Sequence, residues 1–249
     1  MFDSISIPTI LVSYVALLFS LSVHEASHAT TAYWLEDDTA ARLGRMTLNP
    51  LAHMDLLGTF VFPLLGMATG FPFIGWAKPV PVDSRKLTRR FTQRGGVAIV
   101  SAAGPASNLL LAVIFLAVLL LLVKLVALPP ALELKVFTHA LLLRRVESLQ
   151  ALQLGTAMTL ALALTGRLVL INIGLALFNL LPMGPLDGSG ILRGMLPWQW
   201  LPKYDRIQPW MGGALIVLAL TGLLGYVIGP VFVVILTGIE FVARLFLGV

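Results

Sequence analysis

The 249-residue chain contains no cysteine, so neither disulfides nor thiolate metal ligands can contribute to its fold or chemistry. Charge is also scarce: Asp, Glu, Lys and Arg make up 12% of the residues, where a soluble domain carries about 25%. So little charge excludes a sizeable soluble domain. What stands in its place is apolar, with 58% hydrophobic residues and a mean hydropathy of +0.92. Runs long enough for the roughly 20 residues that a helix needs to cross hydrocarbon recur from one end of the chain to the other. The chain therefore reads as an integral membrane protein whose surroundings are the lipid bilayer. Its net charge of +5 does not point to nucleic acid, because the basic residues lie between apolar segments, where membrane orientation accounts for them. The first residues lack the basic region and small-residue cleavage site of a secretory signal, so the first apolar stretch is expected to be kept.

Strong spanning candidates are 7–33, 97–123, 158–182, 211–228 and 229–247. The stretch 56–77 is apolar but interrupted by Gly58, Pro63, Gly66, Gly70, Pro72 and Gly75, which suits a kinked span or a re-entrant segment. Segment 131–154 mixes apolar residues with Glu133, Lys135, Arg144, Arg145 and Glu147, as a helix lying in the interface would. The expected fold is an all-α polytopic membrane protein of about five to six transmembrane helices, with a re-entrant or extended segment between the first two strong spans. Residues 34–96 hold eight Lys or Arg and the residues before the first span hold none, so this region is predicted to be cytoplasmic. With 56–77 dipping in and returning, the first and third strong spans run parallel.

Each of those two spans carries a polar cluster at its cytoplasmic end. In the first, "HEASH" places His24 and His28 four residues apart, on one face of a helix, with Glu25 beside them. This is the H-E-x-x-H arrangement, in which two imidazoles hold Zn²⁺ and the glutamate is a general base towards water. Ionisable groups at membrane depth are expensive and usually mark function, although the three could instead cap the span and satisfy one another. Catalytic zinc normally takes three protein ligands, and Asp187 in "NLLPMGPLDG" is the best third candidate, because parallel spans bring it level with the histidines. "PLDGSG" is also an ordinary turn sequence.

With these two motifs the chain resembles the site-2 protease family of intramembrane zinc metalloproteases. His24, Glu25 and His28 match its first motif, and Asn179, Pro182, Leu186, Asp187 and Gly188 match N-x-x-P-x-P-x-L-D-G, with Gly184 at the second proline. "GRMTLNPLAHMD" at 44–55, "GWAKPVPVDSRKL" at 75–87 and "GPASNLLLA" at 104–112 are similar to the compact prokaryotic branch, which lacks appended soluble domains. The resemblance implies cleavage of a peptide bond within or next to a transmembrane segment of a membrane-protein substrate. It implies one Zn²⁺ per chain on His24, His28 and Asp187, Glu25 as general base, and a substrate-positioning role for Asn179. Residues 1–249 would form one membrane-embedded metalloprotease domain, with a core at about 7–190 and further spans at about 211–247, its active site towards the cytoplasmic side of the cell membrane.

The remaining polar residues read as structural. His53 is expected to bond backbone or Asp55, His139 to lie on a solvated polar face, and Glu240 with Arg244 to form an i,i+4 pair. Asn108 is expected to bond across helices, with Gly104 and Ala106 allowing close approach. Residues 44–55 and 75–87 could present backbone edges to an extended peptide. Two other functions use similar residues: a metal-ion transporter, and a relative that binds membrane segments without cutting them.

Overall fold

The structure is a computed structural model that describes residues 7–69, 77–89, 91–142, 149 and 153–248. In chain order its helices are α1 (Ile7–Trp34), α2 (Thr39–Arg42), α3 (Phe62–Thr69), α4 (Gln93–Leu125), α5 (Pro130–Leu142), α6 (Thr156–Asn179), α7 (Asp187–Met195), α8 (Leu201–Leu220) and α9 (Leu223–Leu247). Among the described residues no strand forms, so the proposed backbone edges at 44–55 and 77–87 are irregular chain and short turns.

Four of the described helices, α1, α4, α6 and α9, are long and apolar enough to cross a membrane, rather than five or six. The span expected at 211–228 fails because α8 starts earlier and ends earlier. Its first half carries Lys203, Asp205 and Arg206, and it stops at Gly222, whose φ of +76° is a left-handed conformation that glycine adopts without a Cβ penalty. The break expected at 228–229 does not occur: α9 runs through Gly229 and Pro230, and α4 likewise contains Pro105. Proline is tolerated inside membrane helices, where neighbouring groups satisfy the freed carbonyls.

Residues 56–69 form a helical arm too short to cross. Asp55 caps it, its carboxylate accepting from the amides of Leu57 and Gly58 at 3.1 and 2.8 Å while its own amide donates to Thr59 Oγ1 at 3.0 Å. A π-helical turn at Leu56–Val61 leads into α3. Residues 70–76 lie outside the described residues, which show no re-entrant loop.

The centre is α1, α4 and α6. Side chains from all three meet at one level, Ser20 bonding Asn172 and Asn172 bonding Asn108. About two turns further along α1 and back along α4, His28 bonds the Val100 carbonyl. Thus α1 and α6 run parallel, with α4 antiparallel to both, as the orientation of the two motifs required. The lipid-exposed stripe of α1 is Ile7, Leu11, Val15 and Phe19, at a spacing of four, while Ser20, His24, Glu25 and His28 are buried. The polar residues face inward because the solvent outside is apolar.

Segment 131–154 does not lie wholly on the interface. In α5, Val136, Phe137, Ala140 and Leu141 are buried in the same core as α4, α6 and α9. The crossing is close enough that a Cβ on Gly166 of α6 would lie 2.0 Å from the Ala140 carbonyl oxygen. His139 is accordingly half-buried instead of solvated, and buried Glu133 pairs with Lys124 at 2.8 Å. Residues 143–148 and 150–152 lie outside the described residues. Glu240 and Arg244 pair as expected, at 2.8 Å.

Candidate metal centre

His24 and His28 point from α1 into a space closed by α4 and α7, with their Nε2 atoms 3.1 Å apart. Asp187 arrives at the same point from far along the chain. Its Oδ2 is 3.2 Å from His24 Nε2 and its Oδ1 is 3.3 Å from His28 Nε2. The chain reverses after Asn179 and brings Asp187 back as the first residue of α7. Gly188 makes the reversal tight: a Cβ there would lie 2.3 Å from the carbonyl oxygens of both Leu180 and Leu181. Small residues then seat α7 on α4, since a Cβ on Gly190 would lie 2.3 Å from Ser101 Oγ and one on Gly194 2.4 Å from Ala98 Cβ. Arg94 closes the far end by donating to the carbonyls of Gly194 and Leu196 at 3.2 and 2.6 Å.

The donor set suits a cation. His28 Nδ1 lies 2.7 Å from the Val100 carbonyl, which can only accept, so Nδ1 carries the proton and Nε2 presents a lone pair. His24 Nδ1 faces Asn108 Oδ1 at 2.6 Å and its Nε2 is likewise free to coordinate. Asp187 Oδ2 is buried and has no hydrogen-bond donor among the described residues. Two imidazole lone pairs and a carboxylate turned towards one another repel unless a cation lies between them. Two nitrogens and one carboxylate, with room for a fourth ligand, are the donors of a catalytic zinc site. The outer contacts of both imidazoles are those that fix metal-binding tautomers.

A cavity of about 560 Å³ opens on this cluster, lined among others by Glu25, Pro79, Val80, Asn179 and Leu215. Glu25 is buried and accepts the Val80 amide through Oε2 at 3.2 Å. Val80 belongs to an irregular strap, residues 77–83, that is fastened at several points. The Lys78 amide donates to the His53 carbonyl at 2.8 Å, Arg45 donates to the Lys78 carbonyl at 2.6 Å, and the Asp83 amide donates to Asp37 at 2.7 Å. Asp37 is fully buried and also accepts from the amide and hydroxyl of Thr39. Nearby, Lys86 bonds Asp38 and holds its carboxyl below the usual carboxylate range, an effect that Arg42 reinforces. Asp37→Ala strands several donors at once, and a loss of about 1–3 kcal/mol of stability is expected, read by thermal unfolding in detergent.

Asn179 lines the cavity while donating to the Leu175 carbonyl at 3.0 Å. His53 stands apart from the cluster, buried, with Nε2 against the Thr47 carbonyl at 2.8 Å rather than against Asp55. Asn108 does bond across helices, but Ala106 is exposed, and only Gly104 serves the close approach. Sequence reasoning missed what Gly104 approaches, and it missed Ser20, Val100 and Asn172 altogether. The spacing of Gly104 and Asn108, one turn apart on a membrane helix, was the available signal.

A multi-pass helical membrane protein with two helix-borne histidines and a distant aspartate converging in a buried cavity is a membrane-embedded zinc metalloprotease by class. Comparison with known proteins agrees. Residues 12–221 match the profile of peptidase family M50. YwhC of Bacillus subtilis (strain 168), provisionally named a zinc metalloprotease, is 35% identical over 218 residues, covering 87% of this chain and 83% of YwhC. Rip2 of Mycolicibacterium smegmatis (strain ATCC 700084 / mc(2)155), which bears the same provisional name, is 40% identical over 100 residues, 40% of this chain and 36% of Rip2. No solved structure gives a significant match. The chain belongs to peptidase family M50, the site-2 protease family.

Proposed function

We propose that the protein hydrolyses a peptide bond within or next to a transmembrane segment of a membrane-protein substrate, with one zinc ion held by His24, His28 and Asp187. The convergence of those three side chains on a cavity inside the membrane helices carries this reading. A zinc ion held by these residues would polarise a carbonyl and lower the pKa of water towards about 7. Glu25 is the general base: it lines the same cavity, takes the proton of the attacking water and delivers it to the leaving amine. The strap at 77–83 lines the cavity beside Glu25, where it can hold substrate backbone extended, as cleavage of a hydrogen-bonded helix requires. Asn179 positions substrate from the end of α6.

The excess of basic residues in the 34–96 region supports a cytoplasmic position for this end of α1 and so for the active site. The 56–69 arm and the apolar half of α8 are further membrane-inserted elements of a single domain.

Purified wild type is expected to carry about one zinc per chain by elemental analysis. Asp187→Ala is expected to lose most of it, together with cleavage of reconstituted transmembrane substrates. Undiminished zinc in the variant would remove Asp187 from the ligand set, and zinc-free wild type would remove the metalloprotease mechanism.

A further inference from the structure

Three buried polar side chains lie behind His24, one from each central helix: Ser20, Asn108 and Asn172. Asn172 does not touch the histidine. Its Nδ2 is 2.8 Å from the Leu168 carbonyl and 2.9 Å from Ser20 Oγ, and its Oδ1 is 2.8 Å from Asn108 Nδ2. Asn108 Oδ1 is 2.6 Å from His24 Nδ1, and its Nδ2 also lies 3.5 Å from the Ser20 carbonyl.

The polarity of this chain can be read from its far end. The Leu168 carbonyl only accepts, and the Ser20 hydroxyl proton is committed to the Ala16 carbonyl at 2.8 Å, so both require a donor from Asn172. The amide group of Asn172 must therefore face them, which turns its oxygen to Asn108. Asn108 must answer with its own amide group, which turns its oxygen to His24. An oxygen there requires a proton on Nδ1, leaving the lone pair on Nε2, towards His28 and Asp187. Flipping Asn172 would set its oxygen against the Leu168 carbonyl and the Ser20 hydroxyl oxygen, and flipping Asn108 would set its oxygen against Asn172 Oδ1 and the Ser20 carbonyl, in a site without water's tolerance for mismatched groups.

We infer that Asn172 is a positioning residue for the metal centre: through Asn108 it imposes on His24 the tautomer that presents Nε2 as a ligand. The inference rests on the zinc reading above. It explains why two carboxamides sit fully buried on different helices, where lone amides would be costly. His28 needs no such relay, because a backbone carbonyl, which cannot flip, faces its Nδ1.

The test compares zinc affinity, measured by competition with a chelating dye, in Asn172→Leu and in the same change made on an Asn108→Asp background. Asn172→Leu removes the 2.8 Å contact and leaves only the Ser20 carbonyl, at 3.5 Å, to set which face Asn108 turns to His24, and zinc binding is expected to weaken about 10-fold or more, as for other lost outer-shell partners. A carboxylate at position 108 presents oxygen whichever way it turns, so on that background Asn172→Leu is expected to change zinc affinity less than about 2-fold. Equal losses on both backgrounds, or no loss on either, would overturn the inference. Should the variants not fold, ¹⁵N-histidine NMR of the zinc-stripped wild type decides instead. A proton on His24 Nδ1 supports the relay, and a proton on Nε2 with Nδ1 bare overturns it. Failure of wild type to bind zinc would tell against the metalloprotease reading, while the NMR result would still judge the relay.

Discussion

Glu25→Gln is expected to reduce peptide-bond cleavage by about 10²–10⁴-fold, the usual worth of a general base, with zinc content unchanged. Glutamine is the informative replacement because of what Glu25 touches. Its carboxylate accepts the Val80 amide, and a carboxamide oxygen can accept it equally well. The strap at 77–83 therefore stays fastened, as does the buried cavity wall. Only proton acceptance is lost. Truncation to alanine would confound that loss with release of the strap. Zinc should persist because the ligand atoms belong to His24, His28 and Asp187, and Glu25 is not among them. Cleavage rate and zinc stoichiometry, measured on the same purified samples, give the result. Retained cleavage would transfer the base role to another residue. A wild type that moves metal across vesicles without cutting any substrate would favour transport.

A single methyl group at Gly104 is expected to do comparable damage from the other side. A Cβ there would lie 2.4 Å from His28 Nε2 and 2.5 Å from His24 Cε1, far inside van der Waals contact. The neighbours cannot yield easily. His24 is held by Asn108 and His28 by the Val100 carbonyl, both on the helix that would carry the new methyl. Either the imidazoles leave their positions or α4 withdraws from α1, and overpacking of this kind costs about 1–3 kcal/mol in stability alone. Because the methyl would intrude on the coordinating nitrogen itself, Gly104→Ala is expected to weaken zinc binding by about a hundredfold or more, at or beyond the upper end for lost outer-shell partners. Gly174→Ala is the control: it is also a helical glycine, but no atom lies within 4 Å of the new Cβ, and no loss of zinc is expected. Wild-type zinc affinity in Gly104→Ala would mean that α4 does not back the two histidines.

Both predictions depend on distances that residue spacing cannot supply. Spacing did identify His24, Glu25 and His28 as neighbours, because four residues on a helix return to the same face whatever surrounds them. Asp187 was legible less directly, through the count of crossings that made α1 and α6 parallel. The long apolar runs of α1, α4 and α6 were read to within a few residues, since hydrocarbon leaves a helix no alternative means of pairing its backbone. The C-terminal part was read less well. The boundary expected at 228–229 falls inside α9, and the break lies at Thr221–Gly222, because only backbone conformation tells which glycine adopts a positive φ.

By itself, then, the sequence determined a helical membrane protein with a metalloprotease's ligand types in the right order, as local periodicity and transfer to lipid are properties of short segments. The tertiary structure alone decided that Val100 and Asn108 orient the imidazoles, that Val80 meets Glu25, that Gly104 admits the histidines and that α5 is packed into the core. These are contacts between residues 55 to 84 or more positions apart in several cases, and helix approach sets them at the scale of a single methyl group.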